Sequence, residues 1–178
     1  MNIVIETSRL ILRTFTIDDV QFIYELNCDP EVTRYTGDPV RDAAHAREVL
    51  EKNILPQYAL YNHGRWAVHV KPGLEFIGWC GLKARPELNE IDLGYRFKRT
   101  AWGKGYATEA ASACLQYGFK ALGINRITGR AMPENSASWR VLEKCGMHYI
   151  GDQLVDGHTG KTYEALNPFV KAQNRSVQ

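Results

Sequence analysis

Several familiar signals are missing from this sequence. No apolar run approaches the ~18 residues of a membrane-crossing helix. Neither charge sign dominates: 22 Lys and Arg against 20 Asp and Glu give a net charge of +2. That balance argues against a protein held to nucleic acid or to a membrane surface by charge alone. The opening "MNIVIETSRL" has no basic segment and no long apolar stretch, so it does not read as a signal peptide. There are four cysteines, Cys28, Cys80, Cys114 and Cys145, with no CxxC pair and no histidine at metal-ligand spacing. They read as free, mostly buried thiols of a cytoplasmic protein, and no metal site is expected. No repeat, low-complexity run or linker breaks the 178 residues, which suits one domain over residues 1–178.

What is present is an ordinary globular balance, 44% hydrophobic and 24% charged, enough to bury a core. "RLILRTF" (9–15) alternates as a strand. "TIDDVQFIYELN" follows with Thr16 as a helix cap and Val20, Ile23, Tyr24 and Leu26 at helical spacing. Residues 42–55 predict a second helix, ended by Pro56. "RWAVHV" (65–70) and "EFIGWCGLKA" (75–84) read as a hairpin through Lys71-Pro72-Gly73. "EIDLGYRF" (90–97) is a further strand, and its internal Gly94 predicts a bulge or a close approach. A helix from Tyr106 to Gly123, a strand at 124–132, a short helix after Asn135 or Ser136 and a closing hairpin around Asp156-Gly157 complete the order. Strands mixed with helices in this order predict one mixed sheet with helices on its faces.

The segment "AWGKGYATEAASACLQYG" (101–118) carries the chemistry. Gly103 and Gly105 strip the backbone of Cβ atoms just before a helix, whose first-turn amides have no intrahelical partner and carry the positive end of the dipole. Such a terminus suits a phosphate, although a plain tight turn would also need glycines. The P-loop pattern GxxxxGK[ST] is absent. A dinucleotide fingerprint begins at Gly103-Lys104-Gly105 but has Thr108 in its third glycine position, and the region where its acidic residue belongs reads Ile124-Asn125-Arg126.

"YRFKRTAWGKGYATEA" resembles the cofactor motif of the GNAT superfamily of acetyl-CoA-dependent N-acetyltransferases, Q/R-x-x-G-x-G/A, with Trp102 standing where Gln or Arg is usual. In this form it is similar to the RimJ/RimL-like branch. "ETSRLILRTFTIDDV", "INRITGRAMPEN" and "NSASWRVLEKCGM" resemble other segments of that branch, so the likeness runs over about residues 6–168. The resemblance implies an α/β GNAT fold. Its central sheet is mixed and mostly antiparallel, of about seven strands, with helices on both faces. Two of its strands are parallel and splay apart to admit acetyl-CoA. The pantetheine arm would pair with Tyr95, Arg96 and Phe97. The pyrophosphate would rest on the amides of Gly103, Lys104, Gly105, Tyr106, Ala107 and Thr108, Trp102 would stand at the same cofactor site, and Asn135 would touch the pantetheine.

Moving an acetyl group from a thioester to an amine asks for a neutral amine, a polarised carbonyl and a proton for the leaving thiolate. Ser138, the Ser of N-x-x-S, is the candidate donor of that proton, or else only a residue of the helix's first turn. Glu90 and Asp92, two apart on one strand, are the candidate bases, or else a solvated strand face. Lys104, Arg96 and Lys144 could meet phosphates, and Trp79, Tyr24 and Tyr35 could line the acceptor side. None of the five histidines is placed by a motif. The reading is therefore an N-acetyltransferase working in a ternary complex on a peptide N-terminus or a small-molecule amine. Nucleic acid and membrane are not expected as partners, and a homodimer is admitted. A CoA-binding module without catalysis is the alternative.

Overall fold

The computed structural model describes residues 1–170. Eight strands form one sheet in the order β1-β2-β3-β4-β5-β6-β8-β7. In chain order they are β1 Ile3–Glu6, β2 Leu10–Arg13, β3 Arg65–Val70, β4 Glu75–Arg85, β5 Glu90–Phe97, β6 Arg126–Ala131, β7 His148–Val155 and β8 His158–Leu166. The helices are α1 Val20–Asn27, α2 Pro30–Thr33, α3 Ala43–Val49, α4 Leu55–Tyr61, α5 Tyr106–Lys120 and α6 Ser136–Lys144. Every neighbouring pair is antiparallel except β5 and β6. The short β1, whose alternation is only four residues long, is the strand that sequence reading does not find.

Each face of the sheet has its own core. On one face α5 and α6 bury Leu82, Cys80, Leu93, Ala110, Cys114, Leu115, Ile127 and Leu142. Gly118 lets α5 approach: a Cβ there would come within 2.8 Å of Leu82 Cδ1 and Ile127 Cδ1. On the other face α1, α3 and α4 close over Phe15, Ile23, Leu26, Leu50, Ala67 and Phe76. The entry to α1 is fixed by a buried ion pair. Arg13 Nη1 and Nη2 donate to Asp19 Oδ2 and Oδ1 at 2.8 and 2.7 Å, and the Thr16 amide donates to Oδ2 at 2.8 Å. Burial alone would raise the Asp19 pKa, but these hydrogen bonds hold it below the usual carboxylate range.

Two expectations are corrected. Pro56 does not end the second helix. A π-helical turn at Leu50–Ile54 absorbs it, and the chain continues as α4 with the proline in the first turn, where no N–H is needed. Gly94 marks no bulge, since β4 and β5 pair without a slip from Gly78↔Phe97 to Arg85↔Glu90. The glycine instead makes room for a side chain from β3, because a Cβ at Gly94 would lie 2.5 Å from Arg65 Nη2. The glycines that end α5 and α6, Gly123 and Gly146, have φ of +65° and +80°. Asp156 and Gly157, at φ +53° and +78°, form the tight turn of the last hairpin, as expected.

Candidate active site

The site begins where β5 and β6 part. They share only two residue pairs, Asp92↔Thr128 and Leu93↔Gly129. Beyond Leu93 the edge of β5 that faces β6 is released. The Lys98 amide donates to Ile77 on β4, so alternation turns the backbone groups of Tyr95 and Phe97 to the free edge and those of Arg96 to β4. The Trp102 indole caps this edge, with Nε1 donating to the Phe97 carbonyl at 2.8 Å.

Next to the gap lies the glycine loop. Gly103 and Gly105 adopt φ of +71° and +78°, a region that a side chain would strain, and a Cβ on Gly103 would meet nothing within 4 Å. Gly105 is the cap residue of α5 and brings no side-chain cap to that helix. The first-turn amides of Tyr106, Ala107 and Thr108 therefore face outward, beside Lys104. A clamp from the β1–β2 turn holds the loop. Glu109 accepts from Thr7 Oγ1 at 2.6 Å and Arg9 Nε at 2.6 Å, while Arg9 Nη1 donates to the Lys104 carbonyl at 3.0 Å. Burial opposes the charge on Glu109, yet the bonds from Thr7 and Arg9 keep its pKa low. The Arg9 guanidinium also lies 4.7 Å from the Tyr106 ring centroid.

α6 supplies the other wall of the gap. Asn135 is its cap residue, accepting from the Ser138 amide at 3.2 Å. Ser138 is bridged to β5 by Tyr95: the tyrosine hydroxyl donates to the Ser138 carbonyl at 2.6 Å, and Ser138 Oγ donates to the tyrosine oxygen at 3.2 Å. Burial pushes the Tyr95 hydroxyl well above its ordinary pKa, so it stays protonated. A proton-bearing pair thus spans the mouth of the gap.

The opposite face of the same strands is a lattice of ion pairs. Arg65 crosses β4 to reach β5. Its Nη1 donates to the carbonyls of Gly81 and Asp92 at 2.5 and 2.8 Å, and its Nη2 to Asp92 Oδ2 at 2.5 Å. Glu90 accepts from Arg130 Nη2 at 2.5 Å and from Thr128 Oγ1 at 3.4 Å, with Arg126 Nη1 at 3.5 Å. Arg96 joins this face and not the glycine loop. It bonds Asn27 and, at 2.8 Å, Asp38, and lies 5.4 Å from the Trp79 ring centroid, with Arg65 at 5.2 Å from the same ring.

A splayed parallel pair, a glycine loop on a helix terminus and a serine across the gap meet in the described residues. The chain matches the family described as "Acetyltransferase (GNAT) domain" over residues 9–148. It belongs to the GNAT acetyltransferases. It is 36% identical over 148 residues, 82% of either chain, to a protein of Bacillus licheniformis named "Uncharacterized N-acetyltransferase p20". A GNAT-family acetyltransferase from Bacillus anthracis superposes with a TM-score of 0.78 at 27% identity, covering 94% of this chain and 99% of that one. The ribosomal L7/L12 acetyltransferase RimL, in complex with coenzyme A, shares the fold at a TM-score of 0.80 and 18% identity, covering 93% and 98%.

In this acetyltransferase the donor is acetyl-CoA, as its family uses, and the gap fits it: a released strand edge, open space at Gly103 and uncapped amides. Lys144 lines a groove of about 530 Å³ with Phe119, Cys145 and Phe169. Tyr24 and Trp79 pack on the core under α1, while Tyr35 lies beneath Arg34. Of the four free thiols only Cys28 is exposed. His63 and His69 bond the carbonyls of Leu82 and Leu74 at 2.9 Å, and burial lowers both their pKa values, so they are neutral structural groups. Sequence reading misses Arg9, Glu109 and Arg65 altogether, and sees Tyr95 only as backbone. Arg65 and Arg9 carry no local signal. Glu109 sits inside the quoted motif and could have been found there as an acid at a helix start that needs a cationic partner.

Proposed function

We propose that this chain, acting as a single domain in the cytoplasm and as a member of the RimJ/RimL-like branch, acetylates a primary amine, either a peptide N-terminus or a small-molecule amine. The observation that carries the reading is the Tyr95–Ser138 bridge across the gap between β5 and α6. It sets two hydroxyl groups where a thioester arm lying along the free β5 edge would end.

In this reading the pyrophosphate rests on the amides of Gly103 to Thr108, with Lys104 and Arg9 supplying positive charge. The pantetheine pairs with the outward groups of Tyr95 and the amide of Phe97, whose carbonyl Trp102 occupies. Trp102 marks where that edge stops, and Asn135 fixes the turn that presents Ser138. The neutral amine attacks the thioester carbonyl carbon, the C–N bond forms and the C–S bond breaks. The thiolate takes a proton from Ser138 Oγ, which its bond to the Tyr95 oxygen holds in place. The ammonium proton leaves through water, and the network is restored from solvent. Of the two carboxylates on β5, Asp92 suits the base role better. Its Oδ1 has no partner among the described residues and it stands at the last β5–β6 pairs, whereas Glu90 is shared by two arginines.

Thiol release from acetyl-CoA tests this against a panel of peptides and small amines. Ser138→Ala should lower kcat by about 100-fold, the lower end of general acid catalysis, while the Kd for CoA moves less than about 2-fold. Unchanged kinetics would remove Ser138 from the proton path.

A further inference from the structure

The acceptor face distributes its charges unevenly. Each carboxylate on it already holds a guanidinium: Asp92 has Arg65, Glu90 has Arg130 and Arg126, Glu164 has Arg126, and Asp156 and Glu87 share Arg85. The cations are not all matched in return. Lys83, on β4 directly across from Asp92, makes no ion pair among the described residues. Burial lowers its pKa first and Arg65 and Arg85 add to this, while the charges of Asp92 and Glu87 oppose the shift without reversing it. Arg130 is the first residue of β6 past the last β5–β6 pair. Its Nη2 serves Glu90 and Gln153, but buried Nε and Nη1 find no acceptor among the described residues.

A polycationic amine brought to this face would meet occupied carboxylates, the unpaired Lys83 and the charge of Arg130 behind it. An amine that also bears a carboxylate would meet the reverse. Strands lie about 4.8 Å apart, so Lys83 stands one strand from Asp92 and two from Thr128, beside the seam where the thioester would end. Building on the N-acetyltransferase reading above, we propose that the acceptor is an amine carrying a carboxylate, an amino acid or an acidic peptide N-terminus. Lys83 binds that carboxylate, and Arg130 supplies further positive charge behind it.

The test is the rate of thiol release from acetyl-CoA with matched acceptors. Amino acids and dipeptides are each paired with their C-terminal amides, X-Asp-amides with X-Asn-amides, and spermidine and an aminoglycoside complete the panel. The acid of a pair should exceed its amide by about tenfold or more in kcat/KM, the scale of one charge-assisted hydrogen bond. The first pairing reports a terminal carboxylate and the second a side-chain one. Lys83→Met should collapse the acid-to-amide ratio, Lys83→Arg should hold it, and Lys83→Glu should invert it, with CoA binding by calorimetry confirming that each variant is folded. Amides or spermidine turning over as well as the acids would overturn the proposal and leave the acetyltransferase intact. So would an acid-to-amide ratio that Lys83→Met leaves in place. Silence on every amine would overturn the catalytic reading and this one with it.

Discussion

The two faces of β5 are built from different material. On the proposed donor side the cradle is largely backbone: two glycines at positive φ, three uncapped amides and a released strand edge. On the proposed acceptor side the parts are side chains drawn from β3, β4, β5, β6 and the last hairpin, locked into an ion-pair lattice. A backbone site is written in consecutive residues, because the glycines and the helix that make it are neighbours in the chain. A side-chain site is written across the whole sequence. The contrast also separates what each face can tolerate. The loop depends on a few φ angles, whereas the lattice depends on charge balance over several strands.

The largest expected effect lies beneath the acceptor side. Arg13→Met strands a buried Asp19 charge and should cost about 3–5 kcal/mol in chemical denaturation. The CoA affinity of the protein that remains folded should stay within about 2-fold if the two faces are independent. Next comes the donor loop. Gly105→Val forces a β-branched residue to φ +78° with Arg9 Nη2 3.5 Å from its Cβ. Calorimetry should show CoA binding weakened by about 100-fold, about 2.7 kcal/mol, the strain expected of such a conformation. The smallest effect is the sharpest probe of the contrast. Arg65→Met should raise the acceptor KM by about tenfold, the worth of one charge-assisted bond, with the Kd for CoA nearly unmoved. Equal losses on both sides would mean that the faces are one coupled unit.

The same contrast explains what the sequence disclosed. The order of strands and helices, the tight turn at Asp156-Gly157 and the loop at Gly103–Thr108 are local patterns and were legible. Pro56 misled because a π turn can carry a chain past a proline, and nothing local announces one. Gly94 was seen as special, yet its reason, the Arg65 side chain arriving from β3, lies 29 positions back in the chain. Glu90 and Asp92 were legible as a pair but not in their engagements, since their partners sit on β3 and β6. Tyr95 shows the limit most clearly. The family resemblance speaks only for its backbone, while the meeting of its hydroxyl with Ser138 needs a helix 43 residues away.

The seam between β5 and β6 has one further consequence. Unpaired amides and carbonyls along a strand are an open invitation to other chains when they lie at a sheet's rim, where edge-to-edge aggregation starts. Here the unpaired edge is internal, with β6, β8 and β7 standing beyond it. A foreign strand cannot dock at full length in a slot that closes at Leu93 and is stoppered at Phe97 by an indole. The fold can thus keep hungry backbone groups permanently on offer to a slender ligand without offering them to its neighbours in a crowded cell.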